Sequence, residues 1–323
     1  MNNYQVLHYH FTVPTKEISF LEVSNEGNLI EEINIPDAIK EALEHSLHSL
    51  LDFLKNKNEV LAYFSASFLE VLEKEYPAEL EKIKGHVDSG KIELVASCAY
   101  HSFSYLCHAE LFKKEVEFHK NAYKKHFNKA AELFINTAGL FNDQLINHLS
   151  DQGFKGLIAP ANSWHLNGVK SSDSYQTIGE KPMKILLSNG DSSSSTYVGL
   201  VNGFGSGYDD KELLSLSIKG LKKILSSTTK KGEYSASMPL NSPEWSQPLA
   251  QYLSGSLQKA LLDECKRLIN KTHDQLSDED WKVIMLICQP DKLLQLNTNL
   301  SSDGFQHFIN CMNLLTAIGL RYR

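Results

Sequence analysis

Apolar positions recur along the first half of the chain in two alternating rhythms. Short apolar runs at Gln5–Phe11, Val60–Ser65, Lys91–Ser97, Ala131–Ile135 and Phe154–Ala159 predict strands. Between them the spacing changes to 3.6 residues. Pro36 opens a helical pattern that runs to Leu54 through Ile39, Leu43, Leu47, Leu50 and Leu51. Phe68–Asp88 reads as a charged amphipathic helix interrupted at Pro77. Ala109–His126 reads as a long helix, and Asp143–Gln152 as a shorter one ending at Gly153. Ser19–Ile35 alternates around an Asn25-Glu26-Gly27 turn and predicts a small hairpin.

Strand–helix–strand alternation of this regularity calls for a parallel sheet, whose functional groups stand on the loops leaving the carboxyl ends of the strands. The pattern then changes. Serines at 171–172 and 192–195 predict a long mobile loop over Ser171–Ser195, and Tyr197–Phe204 returns to strand composition. From Met238 onward the chain is mainly helical, at Glu244–Lys271, Asp278–Ile287 and Gly304–Ile318. The expected division is a sheet domain over 1–237 and a helical lobe over 238–323.

Composition narrows the function classes. Thirty-two basic against 39 acidic residues leave a net charge of −7. No basic stripe is available to neutralise nucleic-acid phosphates, so nucleic acid is not an expected partner. No apolar stretch approaches the roughly 20 residues of a membrane span, so no membrane partner is expected either. Met1–Thr12 lacks the basic segment and apolar run of a secretory signal. Five cysteines without Cys-x-x-Cys spacing argue against a disulfide framework and against a cysteine zinc site, and favour the cytoplasm.

The strand-end loops hold the candidate chemistry. His8 and His10 share one face of the first strand, an arrangement some metal hydrolases use, although zinc would need a third ligand from another strand end. The third strand delivers Tyr100 and His101 to its loop. The fourth ends in Asn136-Thr137, followed by Ala138, with no acid before Asp143. Gly203, Gly205 and Gly207 form a weak dinucleotide fingerprint of the wrong spacing, better read as a flexible loop. No cofactor and no bound metal are expected.

Several segments in order resemble the α-amylase-like branch of glycoside hydrolase family 57. Gly90–Ser102, ending Tyr100-His101-Ser102, looks like the family's third-strand motif. Phe134–Phe141 and Leu149–Leu157, with Gly153-Phe154-Lys155-Gly156, are similar to its nucleophile motif and the helix and strand that follow. Trp245–Leu268, Trp281–Leu286 and Phe305–Leu315 look like its later helices. The resemblance implies an incomplete seven-stranded (β/α) barrel with a C-terminal helical bundle. It also implies a retaining mechanism, which requires two carboxyl groups about 5–5.5 Å apart.

This sequence departs from the family at those two positions. Where the resemblance implies the nucleophile glutamate stands Ala138. The best match to the acid/base aspartate is Asn202. Ser97 replaces the acid usual before the Tyr-His pair, and the histidine of the first motif falls near Thr12. The expectation is a pseudoenzyme that binds an α-glucan or oligosaccharide through His10, Tyr100, His101 and Trp164, with Phe141 and Phe204 as further stacking candidates. Asp143, Asp209 and Asp210 are the acids that could stand in for the lost pair. Two other readings stay open: a metal-dependent hydrolase centred on His8, His10 and His101, and a scaffold that partners an active glucan enzyme.

Overall fold

The structure is a computed structural model. It describes residues 2–10, 15–19, 29–30, 35, 37–55, 59–149, 151–160, 175–177, 182–188, 196–202, 222, 225, 232–234, 249–297 and 303–323. The tip of the hairpin expected within 19–35, Trp164, Phe204, the glycine loop, Asp209 and Asp210 lie outside these residues.

The chain divides into two compact units. The first holds the sheet. Its strands are β1 (Asn2–Tyr9), β2 (Val60–Phe64), β3 (Ile92–Ala96), β4 (Leu133–Ile135), β5 (Gly156–Pro160), β6 (Tyr175–Thr177), β7 (Lys184–Ser188), β8 (Thr196–Asn202) and β9 (Gly232–Tyr234). Seven of these are mutually parallel and follow the order β5-β4-β3-β2-β1-β8-β7, with β7 returning to pair with β5. This is the expected seven-stranded (β/α) barrel. Among the described residues β7 and β8 are joined by the pair Ser188 with Val198, while β1 and β8 run in register from Asn2 with Thr196 to His8 with Asn202.

Strand composition follows from this closure. A parallel strand covered on both faces needs a continuous apolar run, and every residue of β2 and of β5 is buried. Gly156 opens β5 because a side chain there would run into Leu225 and Leu133, whose methyl groups lie 2.6 and 2.8 Å from where its Cβ would stand. The long loop expected over 171–195 is interrupted by strands. β6 and β7 both fall inside it, and β7 is a barrel strand with buried Ile185, Leu186 and Leu187. Three consecutive apolar residues give too short a run to separate a strand from loop by composition, and pairing with β5 decides it.

The helices of this unit follow the periodic reading closely. In α1 (Asp37–Lys55) Leu43, Leu47, Leu50, Leu51 and Leu54 are buried, whereas Ile39, expected on the same stripe, is 41% exposed in the first turn. The Ser65 hydroxyl accepts from the Phe68 amide and caps α2 (Ala66–Glu75); Pro77, which has no N–H to satisfy, opens α3 (Pro77–Asp88).

The second unit comprises residues 11–34, 98–118 and 247–323. It contains α4 (Ser104–Cys107), the start of α5 (Ala109–Phe127), and, after α6 (Asp143–Leu149) of the first unit, α7 (Ala250–Leu253), α8 (Ser256–Thr272), α9 (Asp278–Ile287), α10 (Pro290–Gln295) and α11 (Gly304–Arg321). The helix expected over 244–271 is thus interrupted at Ser254-Gly255. Segment 15–19 is tied to α11: Asn310 accepts from the Ile18 amide at 2.8 Å, and Asn313 donates to the Ile18 carbonyl at 2.9 Å. Among the described residues no helix is long and apolar enough to cross a membrane.

Candidate functional site

The site is best built from the strand ends of the first unit. β4 runs into a single 3-10 turn, Thr137–Gly139. Asn136 accepts the Thr137 amide on its side chain at 2.9 Å. Its carbonyl receives the Gly139 amide at 2.9 Å, and the Thr137 carbonyl receives Leu140 at 3.0 Å. These bonds hold Ala138 at φ +54, ψ 23, a left-handed conformation that disfavours a non-glycine residue by roughly 1–2 kcal/mol. Ala138 is 2% exposed. The position the resemblance assigns to a nucleophile is therefore a strained, rigidly held strand end that presents only a methyl group.

Two hydroxyls at the ends of the paired strands β3 and β4 stand out. Thr137 Oγ1 and Ser97 Oγ, which follow β4 and β3, are fully buried and have no hydrogen-bond partner among the described residues. Such groups are rare in folded proteins and mark places where water or ligand completes the bonding.

β1 and β8 supply the other candidates. Asn202 ends β8 and is the register partner of His8; the side chains of both lie outside the described set. His10 follows β1 and is half-buried. Asp143 opens α6 in its first turn, while the cap is Asn142, whose side chain accepts from the Leu145 amide at 3.2 Å.

One residue pair that the sequence reading did not single out organises these ends. His119 and Tyr123, one turn apart on α5, reach β2 and β3 together. Tyr123 accepts from the Phe64 amide at 3.0 Å and donates to the Val95 carbonyl at 2.9 Å. His119 donates through Nε2 to the Phe64 carbonyl at 3.0 Å and accepts the Ser97 amide on Nδ1 at 3.4 Å. Burial pushes the His119 pKa down to about 4, so the neutral ring is the working form. The signal was present as an i, i+4 pair on a single face.

In the second unit, the loop after β3 carries Tyr100 and His101. His101 adopts φ +55 and donates its amide to the Cys98 carbonyl at 3.2 Å. Its Nδ1 is sealed from solvent while part of the residue stays exposed, and burial lowers its pKa to about 4. Tyr100 is buried, its ring 5.1 Å from the Lys282 ammonium and edge-on to Phe118.

Glu115 holds this loop. It is fully buried and accepts from the amides of Tyr100 at 2.9 Å and Ser102 at 3.3 Å, and from the Ser102 hydroxyl at 2.5 Å. Burial raises its pKa against the pull of these donors. Glu115→Ala removes three bonds to buried donors, an expected loss of about 3 kcal/mol in chemical denaturation. Glu115→Gln, which keeps one carbonyl acceptor, is expected to recover part of that loss. A silent Glu115→Ala would show that the loop is held by other contacts.

Among the described residues, neither His10 nor His101 belongs to a close group of three metal-ligating side chains. Such a group exists elsewhere, formed by Cys107, Cys265 and Cys288.

Parallel strands closed in a ring place candidate groups at the carboxyl ends and define a (β/α)-barrel protein whose candidate functional groups stand on its strand-end loops. A model of glycosyl hydrolase family 57 matches residues 16–200, more than half of the chain. The chain belongs to glycosyl hydrolase family 57.

Its relatives are distant. A Methanocaldococcus jannaschii protein named "Putative alpha-amylase" is 32% identical over 111 residues, which is 34% of this chain and 23% of that protein. Among solved structures, the Thermococcus litoralis 4-alpha-glucanotransferase superposes with a TM-score of 0.66 at 15% identity, over 97% of this chain and 59% of that one. The GH57-type branching enzyme of Pyrococcus horikoshii gives 0.67 at 11% identity, over 98% and 88%. These superpositions establish a shared fold. The chain spans about a quarter of the curated relative and under two thirds of the glucanotransferase.

Proposed function

We propose that this chain is a family 57 barrel that has lost glycosidase chemistry and retains α-glucan or oligosaccharide binding. The observation that carries this reading is Ala138: the strand end matched to the family's nucleophile is formed, strained and buried, yet offers no carboxylate. A methyl group cannot attack an anomeric carbon or stabilise an oxocarbenium ion. Asn202, matched to the acid/base, carries an amide that cannot protonate a leaving oxygen. Loss of both roles removes the covalent route and the proton transfer that a retaining mechanism depends on.

Binding is the function left to such a site. The unpartnered hydroxyls of Ser97 and Thr137 support it, because a sugar is a dense set of hydrogen-bond donors and acceptors. His10, His101, Tyr100 and Trp164 are the side chains assigned to contact the ligand, with Tyr100 acting from a buried position. Five buried thiols support a reducing cytoplasm as the working compartment.

The test combines turnover and binding. Wild type is expected to release no product from starch or an activated maltoside above the protein-free rate, while maltooligosaccharides give measurable heat in calorimetry. Ala138→Glu with Asn202→Asp is expected to recover a trace of hydrolysis above the protein-free rate. Wild-type turnover that persists after Asp143, Asp209 and Asp210 are changed to asparagine would defeat the loss of chemistry. No heat with any maltooligosaccharide would defeat the binding role and favour a scaffold.

A further inference from the structure

Cysteine spacing along the chain predicts no site, but folding of the second unit gathers three of the five. Cys107 ends α4, Cys265 lies within α8, and Cys288 follows α9. Their sulfur atoms all lie within 4.8 Å of one another, and the residues are 4%, 0% and 0% exposed. Buried thiols commonly serve as small apolar packing groups. Convergence of three sulfurs from three separate elements asks for more, since sulfurs about 2.3 Å from a shared cation stand about 4 Å apart. The observed spacing, within 4.8 Å, is compatible with that figure.

The three thiols also shift one another's acidity. S–H groups of Cys265 and Cys288 donate toward Cys107 and hold its thiol well below the usual range, with Lys266 and His108 adding positive potential. Cys265 and Cys288 are pushed up in return. The Cys107 S–H itself faces the Leu262 carbonyl, 4.0 Å from its sulfur.

We propose that Cys107, Cys265 and Cys288 form a three-thiolate binding site for a soft d10 cation, copper(I). Thiolate sulfur selects soft cations, and among the described residues no fourth histidine, cysteine or carboxylate joins the group. Structural zinc is almost always four-coordinate, so a closed set of three sulfurs suits copper(I) better. Binding involves no change of oxidation state. The cation meets three thiols, forms three copper–sulfur bonds, and releases the three S–H protons to solvent.

Such a site would link the loop after β3, α8 and the end of α9. The Phe103 amide already donates to the Cys288 carbonyl at 2.8 Å, and the Gln289 side chain to the Tyr100 carbonyl at 2.8 Å. A cation at Cys107 would add a third tie to the segment that carries His101.

The experiment titrates the full chain, reduced and stripped of metal, with copper(I) under anaerobic conditions against a chromophoric chelator. A parallel series uses zinc(II). One equivalent of copper(I) should bind, with ultraviolet thiolate-to-copper absorption and a raised melting temperature. Cys107→Ala, Cys265→Ala and Cys288→Ala keep the core apolar, and each should weaken binding at least 100-fold while circular dichroism stays native. Cys98→Ala should leave affinity unchanged. Stoichiometric zinc without copper(I) would overturn the cation assignment. No stoichiometric binding of either ion, or binding indifferent to the three alanine changes, would overturn the site.

Discussion

Replacing Asp280 with alanine is expected to lower the unfolding free energy by about 3–5 kcal/mol and the melting temperature by on the order of 10 °C. Asp280 is fully buried at the start of α9 and answers four donors. One oxygen takes the Arg321 guanidinium at 2.6 Å; the other takes the Tyr322 hydroxyl at 2.5 Å, the Ser277 hydroxyl at 2.6 Å and the Ser277 amide at 3.3 Å. Ser277 in turn accepts the Asp280 amide at 3.2 Å, which completes a capping box. The carboxylate thus joins the N-terminus of α9 to the C-terminal end of α11.

Removing it takes the charge partner from a guanidinium that is only 23% exposed and opens the cap in one step. Asp280→Asn keeps the shape and part of the hydrogen bonding, and should fall between wild type and alanine. Because the pair is screened from solvent, high salt should change the loss little. Denaturation of the three proteins, with and without added salt, measures it. An alanine variant within about 1 kcal/mol of wild type would show that the junction does not depend on this charge.

The second large effect is acid-driven. His119 has a folded-state pKa near 4 against an ordinary value of 6.5. The unfolded chain therefore binds protons more readily across that interval, so the contribution is complete above pH 6.5 and is lost as pH falls toward 4. At about 1.4 kcal/mol per pH unit the full loss is roughly 3 kcal/mol. The structural reason is specific: protonation at Nδ1 turns the acceptor of the Ser97 amide into a donor facing a donor. His119→Gln retains a donor for the Phe64 carbonyl and removes the titrating group. Its stability at pH 7 should be lower than wild type and its decline with acid shallower. The gap between the two proteins should narrow by about 3 kcal/mol between pH 7 and pH 4 in urea unfolding. Parallel curves would place the acid sensitivity elsewhere, for example at His101 or His307, both also held near 4 by burial.

Much of the barrel was legible in sequence because parallel strands covered on both faces must be apolar throughout, as β2 and β5 are. The amphipathic helices were legible because one stripe must be buried, and Pro77 marked its own break. The strand-end segments around His101 and Ala138 carried the family resemblance, and the family match agrees with it. β7 escaped because its identity depends on β5 lying alongside it. Glu115, His119 and Tyr123 escaped because a polar residue on a charged helix reads as surface until the strands it serves are in place.

Local pattern therefore determined most of the strands and helices and the resemblance to the family, since each depends on neighbours in the chain. Tertiary structure alone decided which polar groups are buried and which distant residues meet. The left-handed turn at Ala138, the histidine–tyrosine clamp on β2 and β3, and the gathering of Cys107, Cys265 and Cys288 all belong to that second kind. The reason is physical: desolvation and hydrogen-bond geometry act between groups that folding brings together, and linear spacing holds no record of that encounter.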